Sequence, residues 1–239
     1  MNDLFLIFQN LVATRLHACG SFTSFGEDSI RYDFYTALMR QYGLDPHQII
    51  LEQPIPPSQF EQRQRLGIGG RGRHEDKPEF DLRVDPTNEL PSGILAEFAY
   101  FRKPQNATLD VSGAYGKILN EMHRLALLKH YRNLEPTYGY ADFSDYKCLL
   151  ICVTDSVMLD YGNGTRGRKP AHNILDVFQL DQEFLSPPLA NIIIESIEPR
   201  FANKARTLNI VPTGNRIYNA QNLLGNQKWS IWIWEVDYL

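Results

Sequence analysis

Two early segments of the chain carry apolar residues at helical spacing. Within residues 3–19, and again within residues 27–42, apolar side chains recur three or four positions apart. This spacing gives a helix one apolar stripe, and Gly43 directly after the second segment is a common helix end. A longer pattern of the same kind covers residues 107–131. Each of these segments is therefore predicted to form an amphipathic helix.

Short apolar runs bounded by turn residues alternate with these helices, and runs of this length are typical of strands. The predicted strands are residues 49–53, 80–84, 94–101, 147–153, 192–197 and 230–236. Residues 174–180 fit either a helix or a strand. The run at 147–153 is almost continuously apolar, as expected for a strand covered on both faces. The order of elements predicts an α/β protein with a central mixed sheet flanked by helices.

Composition sets limits on the class of protein. With 239 residues, 43% of them hydrophobic, the chain is long enough to form one large domain over residues 1–239. Its net charge of −4 means that a nucleic-acid partner needs a local cluster of positive charge. The three cysteines lack zinc-site spacing, and their odd number together with the absence of a secretory leader predicts a cytoplasmic location. No apolar run approaches the length of a membrane span.

Two acidic residues interrupt apolar segments that are predicted to be strands. Asp81 ends the sequence Pro-Glu-Phe-Asp, and Glu97 lies inside Ile-Leu-Ala-Glu-Phe-Ala-Tyr-Phe. A carboxylate beside a core is costly unless it is paired or binds a metal. The simpler explanation for each acid is a pair with a nearby arginine or a turn amide. Two such acids on neighbouring strands would also suit a hard divalent cation such as Mg2+.

This pattern resembles the PD-(D/E)xK nuclease superfamily, which includes many restriction endonucleases. The resemblance implies a restriction-endonuclease-like core over about residues 24–160, with an N-terminal helix and a C-terminal α/β elaboration. It implies that Asp81 and Glu97 bind Mg2+, with the backbone carbonyl of Phe98 as a third ligand. The implied function is Mg2+-dependent hydrolysis of double-stranded DNA by a type II restriction or related defence nuclease. Cutting of both strands makes a homodimer a further expectation from the family.

Glu27 begins the second predicted helix. Acidic residues in a first turn complement the helix dipole, which is the structural explanation for this one. Related nucleases often place a helix glutamate beside the metal, so the resemblance makes Glu27 an accessory acid of the site. Arg31 follows one turn later and is placed to hold Glu27 in position.

Ala99 stands where the family has its water-activating lysine. Three explanations are open: an inactive relative that still binds DNA, a lysine supplied from Lys103 or Lys117, or deliberate replacement of a lysine at position 99. The surrounding residues 97–103 resemble nuclease segments that carry the lysine, and the rest of the core keeps the pattern. We therefore favour replacement, which predicts that Ala99→Lys raises Mg2+-dependent cleavage.

The positive charge expected to contact DNA is concentrated in residues 57–77. This polar, glycine-rich segment is predicted to be a long loop, and arginine forks suit both phosphates and guanine edges. The DNA-binding candidates are Arg63, Arg65, Arg71, Arg73, Lys77, Lys103 and Lys117. The alternative for the loop is a solvated segment without a partner. The basic residues within 166–169 and 200–206 are ordinary loop charges unless they line the same groove.

Several other polar and aromatic residues have structural interpretations. On the long predicted helix, the polar side chains other than Lys117 are expected to lie in solvent; they are Asn120, Glu121, His123 and Arg124. Cys148 and Cys152 are predicted core residues. Trp232 and Trp234 lie two positions apart in a predicted strand, so they are expected to pack on one face and not to stack on bases.

Three other functions stay open at this point. A nuclease-fold subunit of a defence complex would bind DNA without cutting it, and a nuclease with a different substrate would act on RNA or single strands. An enzyme acting on a carbohydrate or small molecule would need a deep pocket away from Asp81.

Overall fold

Helices and strands alternate along the part of the chain that the structure describes. The computed structural model describes residues 1–20, 26–60, 78–102, 111–131, 142–155, 199–224 and 227–239. The helices are α1 (Asn2–Cys19), α2 (Glu27–Tyr42), α3 (Val111–His130) and α4 (Pro199–Thr207). The strands are β1 (Ile49–Pro54), β2 (Glu79–Val84), β3 (Ile94–Phe101), β4 (Lys147–Asp155), β5 (Pro212–Leu224) and β6 (Gln227–Tyr238). Short 3-10 helices lie on either side of β1, at Pro46–Gln48 and Pro57–Gln59.

The described strands form a six-stranded mixed sheet in the order β1-β2-β3-β4-β6-β5. Strands β3 and β4 are parallel, and the other neighbouring pairs are antiparallel. A parallel pair needs a crossover connection, and α3 lies between β3 and β4 in the sequence. The predicted α/β architecture, a mixed sheet flanked by helices, is confirmed. None of the described helices has the length and apolar character needed to cross a membrane.

Apolar side chains cover both faces of this sheet. One cluster contains the buried side of α1 and α2 and the even-numbered positions of β3, such as Phe98; we call this side the α1–α2 face. The other cluster contains the apolar side of α3, part of α4 and the odd-numbered positions of β3, such as Leu95 and Ala99; we call it the α3 face. Because side chains alternate along a strand, Glu97 belongs to the α3 face.

The side chains of β1 and β2 switch from one face of the sheet to the other at Glu52 and Asp81. Leu82 packs on the α1–α2 face, but Phe80 packs on the α3 face, although residues two apart in a regular strand share a face. Opposite this point, Glu52 has a backbone φ of 54°, which is unusual for a residue other than glycine. The ladder pairs Leu51 with Leu82 on one side of the irregularity. Asp81 therefore lies at a break in the regular alternation.

The pairing between β2 and β3 also ends beside Asp81. Its register covers Val84 opposite Ile94 and extends as far as Leu82 opposite Ala96. Strand β3 continues to Phe101 with β4 as its partner. Asp81 is thus the first residue of β2 beyond the paired region.

Most of the predicted elements agree with the structure to within a few residues. Helix α2 has the predicted bounds and ends at Gly43, whose φ of 64° suits glycine. Two elements were not predicted. The basic residues within 200–206 lie on helix α4 and not in a loop, and β5 is a long strand at the sheet edge. The predictions for residues 174–180 and 192–197 lie outside the described residues.

The structural interpretations of the cysteines and tryptophans are confirmed. Cys148 and Cys152 are buried free thiols on the α3 face. Trp232 and Trp234 are buried on the same face, with their ring centroids 5.9 Å apart. These side chains contribute to the core.

Candidate active site

Both carboxylate oxygens of Asp81 accept hydrogen bonds. The Arg31 guanidinium donates to Oδ1 at 2.7 Å, and the backbone N–H of Phe98 donates to Oδ2 at 2.8 Å. A side chain takes the Phe98 N–H because the β2–β3 ladder has already ended at this point. The Asp81 side chain is 17% exposed, so it lies where the core meets solvent.

Glu97 is buried directly beside Asp81. It is 1% exposed, and its Oε1 has no hydrogen-bond partner among the described residues, although the Arg124 guanidinium lies 3.3 Å away. Burial raises the pKa of Glu97 well above its usual range; Arg124 lowers it, while the nearby Glu121 and Asp81 carboxyl groups raise it further. The two acids identified in the sequence are therefore neighbours that interact electrostatically.

Helix α3 contributes a third carboxyl group and one guanidinium. Arg124 donates to Glu121 Oε2 at 2.6 Å, and its guanidinium lies 5.6 Å from the ring centroid of Phe201 on α4. Burial raises the pKa of Glu121, and Arg124 and Lys117 oppose that rise. Arg124 thus lies between the carboxyl groups of Glu97 and Glu121, while Asp81 is paired with the Arg31 guanidinium.

The expectation that the polar residues of α3 lie in solvent is therefore wrong for several of them. Glu121 and His123 are each 5% exposed, and the Arg124 side chain is 13% exposed. Lys117, Glu121 and Arg124 are four and then three positions apart, which is the spacing of one helix face. That spacing was the available sequence signal, and it placed the two latter residues on the same side as Lys117.

Lys117 joins this cluster to the start of α2. Its ammonium group forms an ion pair with Glu27, and the two side chains are 36% and 29% exposed. Burial by itself would lower the pKa of Lys117, but Glu27, Glu121 and Asp81 together outweigh burial and raise it. Lys117 is therefore a charged ammonium group at the exposed side of the carboxyl cluster.

The contact predicted between Arg31 and Glu27 is replaced by others. Arg31 binds Asp81 and Glu52, and it lies 3.6 Å from Asp28. Glu27 binds Lys117 instead. The sequence alone did not point to Arg31 or Glu52 as neighbours of Asp81.

Ala99 lies on the α3 face of the sheet. It is fully buried and pairs in register with Cys152 on β4. Burial raises the pKa of Cys152, and both Lys117 and Glu27 act on it electrostatically, so their charges lie near that thiol. Lys117, on helix α3, therefore acts on the side chain that pairs in register with Ala99.

The structure brings the predicted Asp81, Glu97, Phe98, Glu27 and Lys117 into one region, with Ala99 beside them. Phe98 contacts Asp81 through its backbone N–H, whereas the resemblance implied a role for its backbone carbonyl. The other DNA-binding candidates lie outside the described residues; they are Arg63, Arg65, Arg71, Arg73, Lys77 and Lys103.

No family model fits the sequence, and neither curated proteins nor solved structures match it. Its function must therefore be inferred from the chemistry of the residues described above.

Asp81 and Glu97 carry carboxylate oxygens, the type of ligand that Mg2+ takes from proteins. Among the described residues, no group of three or more Asp, Glu, His or Cys side chains has the arrangement of a metal site. Mg2+ commonly binds one or two protein carboxylates and takes its other ligands from water and substrate phosphates, so two acids suffice. The buried Oε1 of Glu97, which lacks a hydrogen bond, fits this role.

Proposed function

We propose that the protein is a Mg2+-dependent endonuclease that hydrolyses DNA phosphodiester bonds, of the type II restriction or a related defence kind. The observation that carries this proposal is the placement of Asp81 beside the buried Glu97 where β2 separates from β3: the backbone N–H of Phe98, the residue after Glu97, donates to Asp81. Neighbouring acids, one of them fully buried, are costly, and a shared divalent cation would stabilise them.

The order of elements supports the same proposal. Helix α2 is followed by the antiparallel strands β1, β2 and β3, then by α3, and then by β4 parallel to β3. This is the order of the restriction-endonuclease-like core that the sequence resemblance implies. In that core the paired acids stand on the second and third strands, as Asp81 and Glu97 do here.

Each residue of the site has a distinct role in this proposal. Asp81 and Glu97 hold Mg2+, which when bound neutralises phosphate charge and lowers the pKa of the attacking water. Lys117, as an ammonium group, stabilises the negative charge that develops on the phosphate. Glu27 holds the flexible Lys117 side chain in place through its ion pair.

Lys117 also gives an alternative to a deliberate replacement at position 99. Its ammonium group forms an ion pair with Glu27 and acts electrostatically on Cys152, the in-register partner of Ala99. A lysine supplied by the helix would make alanine at position 99 compatible with activity. We therefore assign the lysine role to Lys117.

A DNA-binding subunit without nuclease activity is the second candidate. The observation in its favour is that arginines already partner both acids: Arg31 binds Asp81, and Arg124 lies beside Glu97. In such a protein these ion pairs would be structural, and DNA binding would not depend on Mg2+.

A plasmid-nicking assay tests the proposed function. We expect Mg2+-dependent conversion of supercoiled DNA, lost by about 100-fold or more in Asp81→Asn, Glu97→Gln and Lys117→Met. The matched control is Glu235→Gln on β6, which should cut normally. Parallel reactions with single-stranded DNA and RNA identify the substrate. Cleavage that is unchanged in Asp81→Asn and Glu97→Gln, or that persists without a divalent cation, would refute the proposal.

A further inference from the structure

The Arg31 guanidinium connects Asp81 to Glu52 on the neighbouring strand. Its Nη2 donates to Asp81 Oδ1 at 2.7 Å, and its Nη1 donates to Glu52 Oε1 at 2.9 Å. Arg31 itself is 9% exposed. A planar guanidinium can hold two carboxylates in a fixed relative direction, which a lysine cannot do.

The backbone of Glu52 is strained at the position where it meets Arg31. Its φ of 54° lies in the left-handed region, which is unfavourable for a residue with a Cβ. The same irregularity interrupts the β1–β2 alternation opposite Asp81. Strain of this kind persists where the surroundings impose it, and it is concentrated at functional sites.

Stability alone does not account for this arrangement. The Glu52 side chain is 64% exposed, and ion pairs with a partner this exposed add little to stability. In addition, Arg31 Nε is buried without a hydrogen-bond partner among the described residues, which is unfavourable. The Arg31–Glu52 contact therefore adds little to the stability of the fold, and a role at the candidate site would explain why it is present.

We propose that Arg31 and Glu52 are positioning residues that orient the Asp81 carboxylate for metal binding. Arg31 fixes Oδ1 and the Phe98 N–H fixes Oδ2, so the plane of the Asp81 carboxylate is set before an ion arrives. Glu52 in turn holds the guanidinium. This inference rests on the proposed function, because it concerns the same metal ligand.

The first test is Arg31→Lys, which keeps the charge but removes the planar fork. We expect kcat for plasmid cleavage and the affinity for Mn2+, measured by calorimetry, to fall about 10- to 100-fold, with KM for DNA unchanged. The matched control is Arg15→Lys. Arg15 forms an equally short pair with Asp33 between α1 and α2, at 2.6 Å, and its variant should cut and bind Mn2+ normally.

The second test is Glu52→Gly, which removes the carboxylate and relieves the strained φ. We expect the midpoint of thermal unfolding to stay the same or rise, while cleavage and Mn2+ affinity fall. A purely structural residue would not separate stability from activity in this way.

The possible outcomes distinguish this inference from the proposed function. If the unsubstituted protein cuts DNA and Asp81→Asn does not, but Arg31→Lys and Glu52→Gly match it in kcat and Mn2+ affinity, the positioning role is refuted and the nuclease stands. If the unsubstituted protein neither cuts nor binds Mn2+, both proposals are refuted.

Discussion

Replacing Ala99 with lysine distinguishes two explanations for the alanine at position 99. In one, Lys117 supplies the functional lysine; in the other, a lysine at position 99 has been replaced. Ala99 is fully buried in the apolar cluster of the α3 face, in register with Cys152, on which Lys117 acts electrostatically. Lysine there adds four heavy atoms beyond a methyl-sized side chain and brings a second ammonium group to the same region. If Lys117 already fills the role, this change gains nothing for cleavage.

The magnitude of the effect on stability follows from packing. Inserting a large side chain into a filled core costs about 1–3 kcal/mol. For a chain of this length, that loss lowers Tm by about 2–12 °C. Ala99→Met is the matched control, because it adds a similar volume without the charge. We expect both variants to lose stability in urea unfolding, with the lysine variant losing more.

The nicking assay then decides between the accounts. With Lys117 as the lysine, Ala99→Lys should cut no faster than the unsubstituted protein. In the Lys117→Met background, the same substitution should restore part of the lost activity, since position 99 pairs with Cys152, on which Lys117 acts electrostatically. A rise in Mg2+-dependent cleavage of Ala99→Lys alone would refute the assignment to Lys117 and support replacement at position 99.

Two further predictions concern stability. Gly93→Ala should lower the free energy of unfolding by about 1–3 kcal/mol, because a Cβ there would lie 2.4 Å from the Tyr146 ring. Gly26→Ala, which meets no atom within 4 Å, is the control for urea denaturation, and equal losses would contradict this reasoning. Burial lowers the pKa of His123, partly offset by the Leu119 carbonyl, so the unfolded chain takes up a proton first as pH falls. Stability should therefore decrease below about pH 6.5, by at most about 1.4 kcal/mol per pH unit, and His123→Gln should lose that part of the slope. Identical pH profiles for the two proteins would show that His123 does not titrate in this way.

The elements that could be predicted from the sequence are those in which apolar residues recur at a clear helical or strand spacing. Helix α2 and strand β3 carry clear patterns, and their bounds agree with the structure. Strand β5 was missed because it is an edge strand rich in asparagine and glutamine, so its apolar alternation is weak. Helix α4 has only a few apolar residues, which is too short a pattern to separate from a loop.

The candidate site was predictable only in part. Asp81 and Glu97 were identifiable because each interrupts an apolar run. Their partners depend on which distant segments meet: Arg31 lies 50 positions before Asp81 along the chain, and Lys117 lies 90 positions after Glu27. The spacing of residues along the sequence does not show which distant segments come together in the fold. The positive φ of Glu52 could not be predicted from the sequence either, because the residue at this position is not glycine.

The two proposed ligands are anchored very differently. Glu97 lies on β3, which pairs with β4 at every position from Ile94 to Phe101. Asp81 lies on β2 just outside the residues that pair with β3. The Phe98 N–H holds the Asp81 carboxylate to β3, while the β1–β2 pair positions the Asp81 backbone and so contributes to the distance between the two acids. Mg2+ requires ligands at about 2.0–2.1 Å and Ca2+ accepts about 2.3–2.6 Å, so ion choice should be tunable by redesigning the β1–β2 pair while the centre of the sheet is left untouched.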